Sequence, residues 1–443
     1  MHLDPVFIVD AILGSAVITD FWWLWLFVIL AFVAPQVWLS YVQEYFRRKD
    51  AHILLELKIP RELRKSPKAM EQVFFGIHAL RNSYSNIQEK WWEGEVTRLF
   101  SCEMVSFGGE IHFYMWVPKR HKNMVEAVLY SQYQDLEITE VDDYISRLPP
   151  TYREVEDSGF KMFGNELKLA KEDAYPIRTY VEFEAIEEEK QLDPISATLE
   201  TLSKIKPQEI LWLQIILRPM DDSWKVAGEK LLDKLLGEIR KRRKSEPEVG
   251  TEGTSSASYS MFTPGDRELI EALEKNLAKP GFETLIRYLY FAPPELYDGN
   301  FGQRGLYSAL NQYASEWLNR FKHNVKAWTR ASIWYWPHLF PEKRAQARRV
   351  GIYRNYRERK MYEERMAPLV SKLFNMRAFH WGFSAQEESR IVLNTEELAT
   401  IFHPPTHLVL TGPLIKRVEA KKGGPPAGLP IYSEGEEDLP GIK

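Results

Sequence analysis

The sequence predicts an α+β protein: an N-terminal transmembrane helix followed by two ferredoxin-like α/β modules, a basic helical arm and a disordered tail. Three observations carry this reading. Residues Phe21 to Val42 contain no Asp, Glu, Lys or Arg. Beyond them, segments that alternate apolar and polar residues are interleaved with segments of helical spacing. After Phe321 the composition turns basic, and after Gly412 it turns rich in Pro, Gly and acids. The corresponding boundaries are 1–50 for the anchor, 51–148 and 149–322 for the modules, 323–411 for the arm with a closing strand and helix, and 412–443 for the tail.

The uncharged segment is long enough to cross a bilayer core, which takes about 20 residues. Phe21, Trp22, Trp23 and Trp25 crowd one end, and Trp38, Tyr41 and Tyr45 the other. Aromatic belts at both interfaces are what a spanning helix favours. Arg47, Arg48 and Lys49 follow, which puts the C-terminal side and the bulk of the chain on the cytoplasmic face of the membrane. A secretory signal needs a basic start and a small-residue cleavage site. Here Asp4, Asp10 and Asp20 precede the apolar run, with no Lys or Arg before it. Pro35 is tolerated as a kink. The weaker apolar stretch at 5–19 leaves two topologies open, a single span or a hairpin.

In the first module, "HILLELKIP" alternates as a half-buried strand. Ser66-Pro67 opens a helix in which Met70, Val73, Phe74 and Ile77 repeat at helical spacing. Two strands, "EVTRLFSCEMVSF" and "EIHFYMWVP", flank Gly108-Gly109, which suits a tight hairpin. A helix ("NMVEAVLYSQY") and a strand ("LEITEV") complete the order strand, helix, strand, strand, helix, strand. That order is the ferredoxin-like split βαβ.

The second module is expected to begin with "PIRTYVEFE" as a strand. Asp193-Pro194 then caps a short helix, and the almost wholly apolar "EILWLQIILR" reads as a central strand. A helix ending in "RKRRKSEPE" leads into a disordered insertion at about 245–262. Thr263, Pro264 and Asp266 restart a helix with a capping-box pattern. "FETLIRYLYF" is a strand and "GLYSALNQYASEWLNRF" a helix. At the end of the chain, "RIVL" is a short strand, Asn394-Thr395 a helix cap, and Pro404-Pro405 a stop.

Between Arg320 and Arg377 there are 15 Lys and Arg against four Glu. Arg344, Arg348, Arg349, Arg354, Arg357, Arg359 and Lys360 lie among Trp and Tyr residues. Cations interleaved with aromatics suit nucleic acid, an anionic membrane or an acidic partner. They also suit a merely solvated helical arm.

Motifs that would declare a chemistry are missing. There is no G-x-x-x-x-G-K-[ST], no H-E-x-x-H, no G-x-S-x-G and no Cys-x-x-Cys. Cys102 is the only cysteine and sits within an expected strand, as a core thiol would. His403 and His407 have a helical ligand spacing, but "PPT" between them forbids the helix. Asp142-Asp143 reads as a solvated turn after a strand. No catalytic residue, cofactor or metal is expected, and the net charge of −4 names no partner by itself.

The blocks "LELKIPRELRKSPKAM", "FSCEMVSFGGEIHFYMW", "EAVLYSQYQDLEITEVDDY", "AYPIRTYVEFE", "DPISATLETLSKI" and "LNTEELATIFHPP" resemble those of a family of membrane-anchored bacterial proteins from the candidate phyla. There, such a segment is similar to the region that accompanies type IV secretion, TraG/HerA-like DNA-translocating ATPases. The resemblance implies a non-enzymatic membrane subunit or adaptor that works with a separate P-loop ATPase of that type, with oligomerisation left open. The alternatives are a membrane-tethered nucleic-acid-binding protein using the basic arm, and an enzyme whose site a single sequence does not reveal.

Overall fold

The computed structural model describes residues 22–60, 63–183, 192–244, 263–334, 338–361 and 389–407. The apolar stretch at 5–19, the insertion at 245–262 and the tail at 412–443 lie outside the described residues, as does Phe21.

The first element is helix α1 (Trp22–Lys49), 28 residues with Pro35 inside. From Leu26 it is long and apolar enough to cross a membrane. Strand β1 (His52–Lys58) follows after a short link. Then come α2 (Lys68–Ala79), the hairpin β2 (Phe100–Phe107) and β3 (Glu110–Pro118), α3 (Lys122–Gln132) and β4 (Glu137–Val141). Gly108 and Gly109 turn the hairpin with φ of +58° and +96°, the region that glycine enters at little cost.

The second half runs α4 (Tyr152–Asp157), β5 (Lys161–Leu169), α5 (Ser196–Ser203), β6 (Ile210–Pro219), α6 (Ser223–Lys244), α7 (Pro264–Ala278) and β7 (Gly281–Ala292). After it come α8 (Gly299–Leu310), β8 (Phe321–His323), α9 (Pro341–Arg357), β9 (Arg390–Asn394) and α10 (Thr395–Ile401). Thr263 with Asp266, and Asn394 with Glu397, form reciprocal capping boxes at α7 and α10.

Three details differ from expectation. The segment expected as a strand at 176–184 is described as far as Phe183 and there carries a 3-10 turn, Tyr180–Glu182, and no strand. Its place in the sheet is taken by β5, "KMFGNELKL", where buried Asn165 and Glu166 interrupt the apolar pattern. The helix expected over 305–321 starts earlier, capped by Asp298, and stops at Leu310, so that Phe321 can enter β8.

The strands form one antiparallel sheet in the order β4-β1-β3-β2-β6-β7-β5-β8. The two halves of the chain meet where β2 pairs β6, from Phe100↔Leu217 to Phe107↔Ile210. Counted from its outer edge, each half has the same internal order: fourth strand, first, third, second. The long β7 shares one side between β5 and β9. One face of the sheet is buried under α2, α3, α5, α8 and α10. The opposite face packs against α4, the turn Tyr144–Arg147 and α9 through Trp212, Leu289, Phe291, Tyr353 and Tyr356.

Candidate functional site

The face under α9 carries a row of polar side chains that crosses six strands in register. Glu56 of β1 pairs Tyr114 of β3, which pairs Glu103 of β2. Glu103 pairs Gln214 of β6, Gln214 pairs Arg287 of β7, and Arg287 pairs Glu166 of β5. Side chains two residues apart share a face, so the polar row has the apolar row of Val105, Trp212 and Leu289 on one side and Ser101, Ile216 and Leu285 on the other.

Buried charge is costly unless paired and hydrogen-bonded, and the row is cross-linked accordingly. Arg287 Nε donates to Glu166 Oε1 at 2.9 Å, and Nη1 to Gln214 Oε1 at 3.2 Å and to the Asn355 carbonyl at 3.0 Å. Gln214 Nε2 donates to Glu103 Oε1 at 3.0 Å and to the Tyr356 carbonyl at 3.2 Å. Glu103 also accepts from Tyr144 Oη at 2.8 Å and Ser101 Oγ at 2.7 Å. Arg359, just beyond α9, clamps the same carboxylate from above and bonds Asp143 on its outer side. Burial disfavours the charge on Arg359, but the two carboxylates outweigh it and hold the group firmly protonated. Burial, with Glu103 nearby, pushes the Tyr144 and Tyr356 phenols well up.

At the β1 end, the row opens into a cavity of about 280 Å³ whose lining includes Glu56, His112, Tyr114, Asp142, Asp143 and Arg147. His112 Nδ1 lies 2.8 Å from Glu56 Oε1, and its ring stacks on Tyr114 with centroids 5.8 Å apart. Arg147 lies over the Phe107 ring at 4.4 Å. Asp142-Asp143, expected as a solvated turn, splits in role. Asp143 caps the 144–147 turn and joins Arg359, while Asp142 lines the cavity. The Glu56–His112 pair forms part of the polar wall of this cavity. No cluster of three or more His, Cys, Asp or Glu with metal-binding geometry occurs among the described residues. Cys102 is fully buried with its thiol pushed well up by burial.

The seven basic-arm residues do not share one surface. Arg344 is buried and donates to the carbonyls of Leu339 at 2.7 Å and Ser332 at 2.9 Å. Arg348 donates to the carbonyls of Val325, Trp328 and Arg330. Arg357 donates to those of Ile145, Leu148 and Pro149, and Arg359 is consumed by Glu103 and Asp143. Arg349 bonds Gln346 and is half-buried, as is Lys360 beside Glu358. Arg354 is exposed. No single sequence could reveal the carbonyl partners, because the groups are ordinary backbone oxygens brought close by folding.

Of the residues expected to form the anchor, Trp22, Trp23, Trp25, Trp38 and Tyr41 lie on α1, and Phe21 lies outside the described residues. Trp23, Trp38 and Tyr41 are exposed, and Trp22 and Trp25 fall within the helix. The last turns of α1 are docked on the body. Trp38 Nε1 donates to the Trp91 carbonyl at 2.7 Å, and Arg98 Nε to Asp50 Oδ2 at 3.1 Å.

Residues 41–297, more than half of the chain, match the family described as Domain of unknown function (DUF8128). The chain belongs to this family. The DUF8128 region starts in the docked turns of α1 and runs past β7. It therefore holds every sheet residue of the polar row, whereas Arg359 lies beyond it. No curated protein matches the chain.

Proposed function

We propose that this protein is a non-enzymatic, membrane-anchored platform whose body docks a separate P-loop ATPase of the TraG/HerA type at the cytoplasmic face. The observation that carries this reading is the junction of α1 with the body. The helix leaves the body with Leu26, Phe27 and Leu30 exposed, yet its last turns are tied down at Trp38 and Asp50. A helix so held fixes the orientation of the sheet relative to the membrane, which a docking platform requires and a tethered soluble domain does not. The repeated strand order suits two ferredoxin-like modules fused through β2 and β6, giving a broad rigid body. The DNA-motor partner rests on the resemblance of the sequence blocks. The inward commitment of Arg344, Arg348, Arg357 and Arg359 weighs against a nucleic-acid surface on the arm.

The test is fractionation and co-purification. The full chain should stay in the membrane pellet through alkaline and high-salt washes, and external protease should leave the body intact in whole cells. Isolated from its native membranes, it should bring down a P-loop ATPase, while the purified chain alone hydrolyses no ATP. Release by alkali removes the anchor. ATP turnover that persists through further purification removes the platform reading.

A further inference from the structure

Between α2 and β2 the chain forms a compact loop, residues 82–95, that includes a one-turn π-helix at Glu89–Glu93. The loop is internally tied. Glu89 N donates to Asn86 Oδ1 at 2.8 Å, Glu95 N to the Glu89 carbonyl at 2.9 Å, and Asn82 Nδ2 to Glu95 Oε1. It is also pressed against α1. Trp91 accepts from Trp38, and Gly94, at φ +68°, comes so close that a Cβ there would lie 2.5 Å from the Val42 carbonyl carbon. Yet this ordered loop shows solvent its apolar side chains: Ile87 is 76% exposed, Trp92 72% and Tyr84 46%.

The loop's level along α1 suggests what covers them. It touches α1 at Trp38 and Val42, where the uncharged run ends and the aromatic belt lies. Arg47 and Arg48 come five and six residues later, about 8 Å further along the axis. The loop thus sits on the membrane side of these cations, at the depth where Trp and Tyr partition best. We propose that residues 84–92 are a second membrane contact, an interfacial foot that sets Tyr84, Ile87 and Trp92 into the headgroup region of the bilayer spanned by α1. This rests on the anchor reading above. The attraction is apolar, because Lys90 lies over the Tyr84 ring at 4.9 Å and Glu89 and Glu93 flank it. Anionic lipid is therefore not required. With α1, the foot gives two points of attachment and prevents the body from swinging about a single helix.

The experiment uses the full chain reconstituted in phosphatidylcholine vesicles, with a polarity-sensitive fluorophore on single added cysteines. The native Cys102 is fully buried and stays unlabelled. The positions are Ile87→Cys and Trp92→Cys in the foot, Leu30→Cys in α1, and Glu110→Cys at the far end of β3. Glu110 lies about 26 Å along β3 from Pro118, which pairs His52 beside the α1 junction. Labels at 87 and 92 should emit as in an apolar medium and lose most of that emission to lipids spin-labelled near the headgroup. The label at 30 should be quenched by deep spin labels, and the label at 110 by neither. If 30 is quenched while 87 and 92 report water, the anchor stands and the foot is overturned. If 87 and 92 are shielded but unquenched by lipid, protein covers them and the foot is again overturned. If 30 itself is unquenched, the anchor reading fails and the foot fails with it.

Discussion

Arg359 meets Glu103 across 256 residues of sequence, with Nε 2.8 Å from Oε1 and Nη2 3.0 Å from Oε2. Both side chains are almost fully buried, and the outer edge of the same guanidinium bonds Asp143 at 2.6 Å and 3.1 Å. The backbone of Arg359 is held at φ +44°, a left-handed conformation that non-glycine residues rarely adopt. A bidentate, hydrogen-bonded pair of this kind straps the chain after α9 onto the centre of the sheet.

Removing the cation should therefore be costly. Arg359→Met leaves Glu103 buried without its counter-charge, an effect of about 3–5 kcal/mol. Denaturant titration of the detergent-solubilised full chain reads it as a lower midpoint. Adding Glu103→Gln should recover most of the loss, because the uncompensated charge is then gone. A double variant as unstable as the single one would mean that packing by Arg359, not its charge, holds the strap.

The basic arm should divide by partner, not by charge. Arg344→Gln, Arg348→Gln and Arg357→Gln each orphan carbonyls that the guanidinium now satisfies, at roughly 1–3 kcal/mol apiece. Arg354→Gln, on an exposed position of α9, should stay within about 0.5 kcal/mol. Thermal unfolding of the four variants checks the split. Equal effects in all four would show that the arm behaves as a surface.

Acid should loosen the contact of Asp193 with His403 and Thr406. Asp193 accepts from Thr406 N and Oγ1 at 2.8 Å each and from Ile195 N at 3.1 Å, and lies 2.8 Å from His403 Nε2. Burial raises this carboxyl, but His403 and the hydrogen bonds outweigh it and bring it to about 2, below its ordinary 3.8. A depressed carboxyl stabilises the fold above its unfolded pKa. Its contribution, about 2 kcal/mol, is lost as pH falls from 3.8 through 2. Asp193→Asn should remove that part of the acid slope in stability measured against pH. An unchanged slope would assign the acid sensitivity elsewhere.

Gly94→Ala tests the α1 junction. The new methyl would collide with the Val42 backbone, and φ +68° adds about 1–2 kcal/mol of strain. The expected outcome is faster trypsin cleavage at Arg47, Arg48 or Lys49 with the near-UV spectrum of the body little changed. Unaltered cleavage would show that Trp38 and Arg98 hold the junction unaided.

Elements with a local cause could be read directly from the chain. The uncharged run of α1, the alternation of β1, the Gly108-Gly109 hairpin and the capping pairs Thr263–Asp266 and Asn394–Glu397 each depend on residues a few positions apart. Strand β5 could not be read so, because Gly164, Asn165 and Glu166 break its apolar alternation for reasons that lie elsewhere. A Cβ at Gly164 would meet Leu289 of β7 at 2.5 Å and Ile352 of α9 at 3.3 Å. Glu166 is buried only because Arg287 stands opposite.

The sequence by itself determined an uncharged run long enough to span a bilayer, the alternation of strands such as β1, and where several helices start. Only the tertiary structure decided that the two halves share one sheet and that arginines of the basic arm turn inward. The reason is physical. Periodicity records which side of an element avoids water, a property of neighbours in the chain. Whether Arg359 finds water, a phosphate or Glu103 depends on which group folding carries within 3 Å of it.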